Sequence, residues 1–392
     1  MNKLDLNNTE IAFRYKSDKS LKNARFIFGL LQKPFLVKTL TKLATWVLKY
    51  KLPFKFAIKN TVFKVFCAGQ NRNEAAKTIQ ALKNHDVNTV LDYVAEGDNS
   101  VESFENNLKT ILENIHFMKV NAEKPVIGVK LSGLEDVQFL EKFSSVIGVT
   151  NPSDQARLSQ FIERVDKICQ LAHEKNVTVY IDAEEWSTQA IFDDVVERMM
   201  EKYNTKGALI FNTLQMYLKD RVAYLEKAIK IGREKSFFIG MKLVRGAYVE
   251  KEREYAKIKG IESPVFDTKE GTDNSYNQAV EICLKNHDLV YTCLATHNQQ
   301  SVELAVELIE QLPIKDHAQK VSFSQLYGMS DNLTFNLAES KYTSSKYVPY
   351  GEVEKAIPYL LRRSEENSSI EGQVGREFEL LTQEHQRRKN SK

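Results

Sequence analysis

Eight short runs rich in Val, Ile and Leu recur along the chain after residue 85, and this rhythm constrains the fold more than any other feature. The runs are Thr89–Val94, Val126–Leu131, Val177–Asp182, Ala208–Leu214, Phe237–Val244, Leu289–Leu294, Val321–Ser324 and Ser345–Val348. Apolar spacing near 3.6 predicts helices over Asn73–Asn84, Leu134–Val146, Asp154–Lys175, Leu218–Lys235, Ser275–Asn286, Gln300–Gln311, Ser330–Glu339 and Val353–Asn367. Parallel strands need such helical crossovers, so the alternation predicts a parallel sheet. An open dinucleotide-binding sheet would carry GxGxxG after its first strand, and the sequence has none. Eight repeats over roughly 285 residues instead fit a closed α/β barrel of the (β/α)8, or TIM, type. Polar residues fall at the ends of the runs: Lys130, Asp182, Gln215, Arg245, Thr296–His297–Asn298 and Tyr327. In a barrel those ends build the active face.

Charge divides the chain. Between Arg14 and Arg72 there are fourteen Lys or Arg and one acid, Asp18; the remainder holds 41 basic and 51 acidic residues. The basic stretch also carries Phe26, Phe28, Leu30, Leu31, Phe35, Leu36, Trp46, Phe54, Phe63 and Phe66. Basic and bulky apolar residues at helical spacing suit a membrane surface, with residues 14–72 as the contact. They equally suit a helical arm that buries its apolar stripe on the body. Nucleic acid is not the expected partner, because the charge is spread evenly along helices. The organisation expected is a basic helical arm over 1–84, a catalytic barrel over 85–375 and a charged tail over 376–392.

Other classes are excluded by composition. At 42% hydrophobic and 27% charged residues the chain is neither disordered nor membrane-spanning. Apolar stretches such as Phe26–Leu31 fall short of the roughly 18–20 residues that cross a bilayer. The four cysteines show no CxxC, and no metal-ligand spacing is present, so no metal is expected. Met1 to Glu10 is polar, without the look of a secretory leader, so a cytoplasmic protein with peripheral membrane contact is expected.

Several constellations carry chemistry. Lys130 and Asp182 cap neighbouring strands, so their heads can meet over the barrel mouth. Such a pair either holds a substrate carboxylate or forms a structural ion pair. Lys242 to Tyr248 (KLVRGAY) runs off a strand into a glycine turn where a flat or anionic ligand could approach the backbone. Near the C-terminus, Tyr359, Arg362, Arg363 and Glu366 share one helix face. Twin arginines match a planar carboxylate or phosphate bidentately.

KLVRGAY (242–248), ATHN (295–298), FSQLYGM (323–329), KYVPYG (346–351) and YLLRRSEENSS (359–369) together resemble the proline dehydrogenase family. VKLSG (129–133) and IDAEE (181–185) fit the same order, and the resemblance runs from about Leu91 to Ser369. It is nearest to the monofunctional, eukaryotic-type members. It implies a distorted (β/α)8 barrel holding FAD, oxidation of L-proline to Δ1-pyrroline-5-carboxylate by hydride transfer to flavin N5, and a membrane quinone as electron acceptor at the inner membrane. Transferred residue by residue, Lys130, Arg362, Arg363 and Glu366 belong to the substrate site, with Tyr347 and Tyr359 as walls. Asp182 and Tyr248 sit near both substrate and flavin. Gln215, Lys242, Val244, Arg245, Gly246, Ala247, Thr296, His297 and Asn298 line the FAD. Glu96 matches a gating carboxylate that pairs with an arginine of the last helix.

The chain departs from the family pattern in places. Lys242 stands where many bacterial members have Arg, and Tyr327 replaces a histidine of the bifunctional enzymes. Tyr347 stands where hydroxyproline-preferring relatives carry a small polar residue, so proline is the expected substrate. The alternatives are hydroxyproline oxidation, or a silent anion-binding barrel with a membrane-interacting arm.

Overall fold

The computed structural model describes residues 4–33, 62–94, 99–144, 151–314, 316–357, 359–360 and 373–391. Eight parallel strands close a barrel in sequence order: β1 (Val87–Tyr93), β2 (Val126–Val129), β3 (Thr178–Ile181), β4 (Ile210–Gln215), β5 (Ile239–Val244), β6 (Val290–Ala295), β7 (Val321–Leu326) and β8 (Ser344–Tyr350). All eight lie where the apolar runs predicted them, with edges shifted by up to two residues.

The main helices are α1 (Thr9–Phe13), α2 (Asp18–Leu31), α3 (Arg72–Lys83), α4 (Val101–Asn121), α5 (Val137–Ser144), α6 (Pro152–Lys175) and α7 (Trp186–Tyr203). They continue with α8 (Arg221–Lys235), α9 (Val249–Lys259), α10 (Lys269–Lys285), α11 (Gln299–Gln311), α12 (Asp331–Glu339) and α13 (Gln373–Asn390). Local chemistry sets many of their ends. Asn71, Ser100, Asn151, Thr268 and Asn298 each accept a backbone N–H at a helix start. Left-handed Asn176 and Gly260 stop α6 and α9. Of the predicted helix Val353–Asn367, residues 353–357 and 359–360 are helical and 361–367 lie outside the described residues.

The chain divides into two compact units, Met1–Ala95 with Phe323–Lys392, and Glu96–Ser322. In the second, Asn212 and Met241, then Gln215 and Val244, are register partners of β4 and β5. Gly240 exists there for packing: a Cβ would lie 2.4 Å from the Ile210 carbonyl and 2.8 Å from the Phe211 ring.

In the first unit the described part of the basic segment is packed. Leu21, Ala24, Ile27 and Phe28 of α2 share a core with Phe63, Phe66, Val353, Ala356, Tyr359, Leu380 and Leu381. Each large apolar side chain fully buried this way contributes roughly 1.5–3 kcal/mol relative to exposure. Lys19, Lys22 and Lys33 face water. Residues 34–61 of the segment lie outside the described residues. Residues 376–390, expected as part of a charged tail, belong to α13, whose Leu380 and Leu381 join this core and whose Glu377 and Glu384 are also buried. Among the described residues no helix is long and apolar enough to cross a membrane.

A sealed charge cluster ties this unit together. Lys346, inside β8 and fully buried, lies 2.8 Å from Asp331 Oδ1 and donates to the Met329 carbonyl at 2.5 Å. Lys16 Nζ stands 3.1 Å from Asp331 Oδ2, and the Tyr15 hydroxyl donates to the same oxygen at 2.8 Å. Burial opposes ionisation of Asp331, but Lys16 and Lys346 overcome it and hold the carboxyl at about 2. Strand alternation turns Lys346 and Val348 toward the helices, where Val348 packs with Phe335 and Leu82, and gives Tyr347 the barrel side.

Candidate active site

Lys130, Asp182, Arg245, Thr296 and Tyr327 are each the first residue beyond a strand, and Gln215 is the last residue of β4. The positions singled out by polarity are therefore the carboxyl ends of β2 to β7. The Asp182 N–H donates to the Val129 carbonyl at 2.9 Å, which ties the start of that loop to β2. Its carboxylate stands between two lysines: Lys242 Nζ donates to Oδ1 at 2.6 Å, and Lys130 Nζ forms an ion pair with Oδ2 at 3.4 Å. The expected meeting of Lys130 and Asp182 is present; the tighter partner, Lys242, is one for which the family resemblance implies only a flavin contact. Lys242 is buried near the Tyr180 ring, 5.9 Å from its centroid, whereas the Lys130 side chain keeps 27% of its exposure. A buried lysine inside a strand needs a counter-charge, and Asp182 supplies it.

Beside this triad sits a pair that the residue-by-residue transfer missed. Glu184 accepts from the Ser132 N–H at 3.0 Å and the Ser132 hydroxyl at 2.5 Å. Burial pushes its carboxyl up, against the pull of those two hydrogen bonds. The Glu184 carbonyl in turn accepts from Gln215 Nε2 at 2.6 Å. Both residues stood within the quoted runs VKLSG and IDAEE, so an acid just past a barrel strand was the available signal.

The turn after β5 is set by an internal contact. Gly246 has φ +119°, and a Cβ there would fall 1.6 Å from Tyr217 Cε1, so only glycine fits. Arg245 is held on three sides: it donates to Asp273 Oδ1 at 2.6 Å, Thr296 Oγ1 at 2.7 Å and Ser301 Oγ at 2.9 Å, and lies 4.5 Å from the Tyr276 ring centroid. Val244, Ala247 and Tyr248 are half-buried around it. At the end of β6 the Thr296 hydroxyl also accepts the Asn298 N–H at 3.0 Å, and Asn298 Oδ1 caps α11 through the Ser301 N–H at 3.1 Å. His297 is half-buried between them. Arg245, Thr296 and Asn298 thus form one hydrogen-bonded cluster around a helix N-terminus.

In the first unit Tyr347 and Tyr359 are buried, 7% and 5% exposed, and the Tyr327 N–H donates to the Tyr347 carbonyl at 2.9 Å. Glu96, Arg362, Arg363 and Glu366 lie outside the described residues. Among the described residues no cluster of three or more His, Cys, Asp or Glu is placed to hold a metal ion. The four cysteines are buried free thiols.

Residues 75–376 match the proline dehydrogenase family. The chain belongs to that family. It is 31% identical over 362 residues to mitochondrial proline dehydrogenase 1 of Dictyostelium discoideum, an alignment covering 82% of this chain and 63% of the relative. The chain therefore spans under two thirds of that relative's length. It is 28% identical to a hydroxyproline dehydrogenase of Xenopus laevis, with 96% of this chain and 88% of the relative covered. Among solved structures, proline utilization A from Bdellovibrio bacteriovorus, inactivated by N-propargylglycine, superposes with a TM-score of 0.72 at 20% identity, over 82% of this chain and 35% of that one. That likeness supports the barrel.

Membership in the proline dehydrogenase family raises the fit of a flavin. The ends of β4, β5 and β6 present Gln215, Lys242, Arg245 and the capped amino end of α11, a set rich in N–H donors. The central carboxylate among them, Asp182, is matched by two lysines. One barrel turn below Gln215 on the same strand face, Thr213 Oγ1 is buried without a hydrogen-bond partner. A donor-rich face of this kind fits a dinucleotide carrying a flat, acceptor-edged ring.

Proposed function

We propose that the chain is an FAD-dependent proline dehydrogenase that oxidises L-proline to Δ1-pyrroline-5-carboxylate and passes the electrons to a membrane quinone, the first step of proline catabolism. The observation that carries the reading is the Lys242–Asp182–Lys130 triad at the strand ends, with its outer lysine open to solvent. Bound FAD would supply the two-electron acceptor; Gln215, Lys242, Val244, Arg245, Gly246, Ala247, Thr296, His297 and Asn298 would hold it.

The chain's own residues do the positioning. Lys130, with Arg362 and Arg363, would hold the substrate carboxylate, and two guanidiniums and an ammonium fix which face of the ring is presented. Their positive charge favours the neutral substrate amine, the form whose lone pair can assist oxidation at the adjacent carbon. Tyr347 and Tyr359 would wall the ring, Tyr248 would close the flavin side, and Glu96 would gate the site by pairing with an arginine of the last helix. Glu366 extends the same helix face. No covalent nucleophile is required.

The catalytic barrel would run over 85–375. Peripheral contact with the inner membrane from the cytoplasmic side would come from the basic segment within residues 14–72. Because α2 is a core element of its unit, that role falls on the lysines its packing leaves outside.

The test is steady-state turnover with a soluble electron-accepting dye, trapping the cyclic imine product. Wild-type protein should oxidise L-proline much faster than trans-4-hydroxyproline. Preference for the hydroxylated substrate would shift the reading to the activity named for the Xenopus relative. No turnover of either would leave a silent anion-binding barrel.

A further inference from the structure

Glu252, in the first turn of α9, is used by nothing described so far, yet it is 2% exposed and surrounded by the site's loops. Its Oε1 accepts from the Trp186 N–H at 2.7 Å and from the Tyr217 hydroxyl at 3.4 Å. Trp186 opens α7 directly after Asp182, Ala183, Glu184 and Glu185. The residue at the cap position of that helix, Glu185, makes no side-chain cap hydrogen bond. Glu252 therefore does from another element what a capping side chain does: it satisfies an amide at the start of α7.

Tyr217 carries the same carboxylate's reach into the neighbouring turn. Its ring fills the space that a Gly246 side chain would need, and its N–H donates to the Arg245 carbonyl at 2.9 Å. The residue before it, Met216, donates to the Val244 carbonyl at 2.8 Å. The Glu252 N–H closes the circuit on the Tyr248 carbonyl at 2.9 Å. One buried carboxylate thus touches, directly or through one side chain, the loops that follow β3, β4 and β5. A further side-chain link between these loops, Lys251 to Glu185, lies at the surface, where such a pair contributes little.

We propose that Glu252 is a positioning residue that locks these three loops in one geometry, and so holds Glu184, Gln215 and the Arg245–Tyr248 turn in register for flavin. The proposal rests on the flavin reading above. It is tested by measuring FAD affinity, by absorbance and fluorescence on reconstitution, for wild type, Glu252→Gln and Glu252→Met. The amide keeps an acceptor oxygen, so Glu252→Gln should bind FAD within about threefold of wild type; Glu252→Met keeps the volume without an acceptor and should bind at least about tenfold more weakly, since small displacements of positioning groups are costly. Melting of the flavin-free Glu252→Met protein should stay near wild type, and its KM for proline at saturating FAD should change by less than about twofold, because Lys130, Tyr347 and Tyr359, proposed to hold and wall the substrate, sit on other elements.

Equal FAD affinity in wild type and Glu252→Met overturns the proposal. If Glu252→Met does not fold, Glu252→Asp decides, because it retracts the carboxylate by one methylene: weakened FAD binding with native melting supports the role, and unchanged binding overturns it. Wild-type protein that takes up no FAD would overturn the flavin reading, and this proposal with it.

Discussion

Asp182 and Asp331 each stand between two lysines. Asp182 has Lys242 at 2.6 Å and Lys130 at 3.4 Å; Asp331 has Lys346 at 2.8 Å and Lys16 at 3.1 Å. The surroundings differ. Around Asp331 the lysine side chains are 0% and 10% exposed, the carboxylate 3%, and the partners come from the N-terminal segment, α12 and β8. Around Asp182 the outer lysine is 27% exposed and all three residues lie in or directly beyond barrel strands. The sealed triad is shut off from water, with Lys346 also held by the Met329 carbonyl, which makes it a staple. The open one keeps a cation facing solvent where a carboxylate could dock. Identical residue types therefore differ here by burial, and on the proposed function that difference separates a structural cluster from a substrate site.

The largest effect expected on breaking this contrast is at the staple. Asp331→Ala leaves two buried lysines without their counter-charge and should cost about 3–5 kcal/mol of stability, read by chemical denaturation. The double variant Asp331→Leu with Lys346→Met removes both sides of one pair and should recover part of that loss. A single variant as stable as wild type would mean the cluster is not a staple.

The open triad should behave oppositely. Lys130→Met removes a partly exposed partner, so stability should change by under about 1 kcal/mol. Turnover should suffer instead: a fall in kcat/KM for proline of about a hundredfold is expected from loss of a substrate-orienting cation. Equal losses of stability at Lys130 and Asp331 would erase the distinction.

Specificity should respond more modestly. Tyr347 lies on the barrel side of β8, next to the sealed Lys346. Tyr347→Ser should raise kcat/KM for trans-4-hydroxyproline relative to proline by about tenfold, the scale of one side-chain-sized change in a pocket. The same variant should leave the staple intact, so denaturation midpoints test whether neighbouring residues of one strand serve separate roles.

A further contrast is a pH dependence within the staple's unit. Glu377 accepts the Ser330 N–H at 2.5 Å, and burial, then Asp331, pushes its carboxyl up to about 6. A raised carboxyl pKa means the folded state holds the proton more tightly, so this group's contribution to stability declines as pH rises from near 4.5 to 6. Glu377→Gln escapes that decline. Its stability relative to wild type should rise across that window and then level off; a flat difference would contradict the assignment.

Most of the architecture was legible because strands in a closed parallel barrel are buried on both faces and read as uninterrupted β-branched runs. Four helices were not read. In α4 the signal was present, with Ser100 as cap and Phe104, Leu108, Ile111 and Ile115 on one face. In α9 it was weak, because VEKEREYAKIK buries little besides Glu252 and Ala256. The Lys130–Asp182 meeting followed from both residues closing neighbouring strands. The third member, Lys242, could not be placed from sequence as their partner, because an apolar strand does not say which carboxylate will neutralise a lysine within it. Lys16 and Glu252 were hidden for the same reason: each is one charge among many in a charged stretch, and only tertiary packing selects it.

On the proposed function, the open triad and the loops beside it serve proline oxidation on a flavin. The most direct test is the absorbance spectrum of the purified protein, reconstituted with FAD and titrated anaerobically with L-proline. Flavin bands that bleach with proline, and much less with trans-4-hydroxyproline, are the predicted result. A protein that stays colourless with FAD, or whose flavin bands proline leaves unchanged, would contradict it.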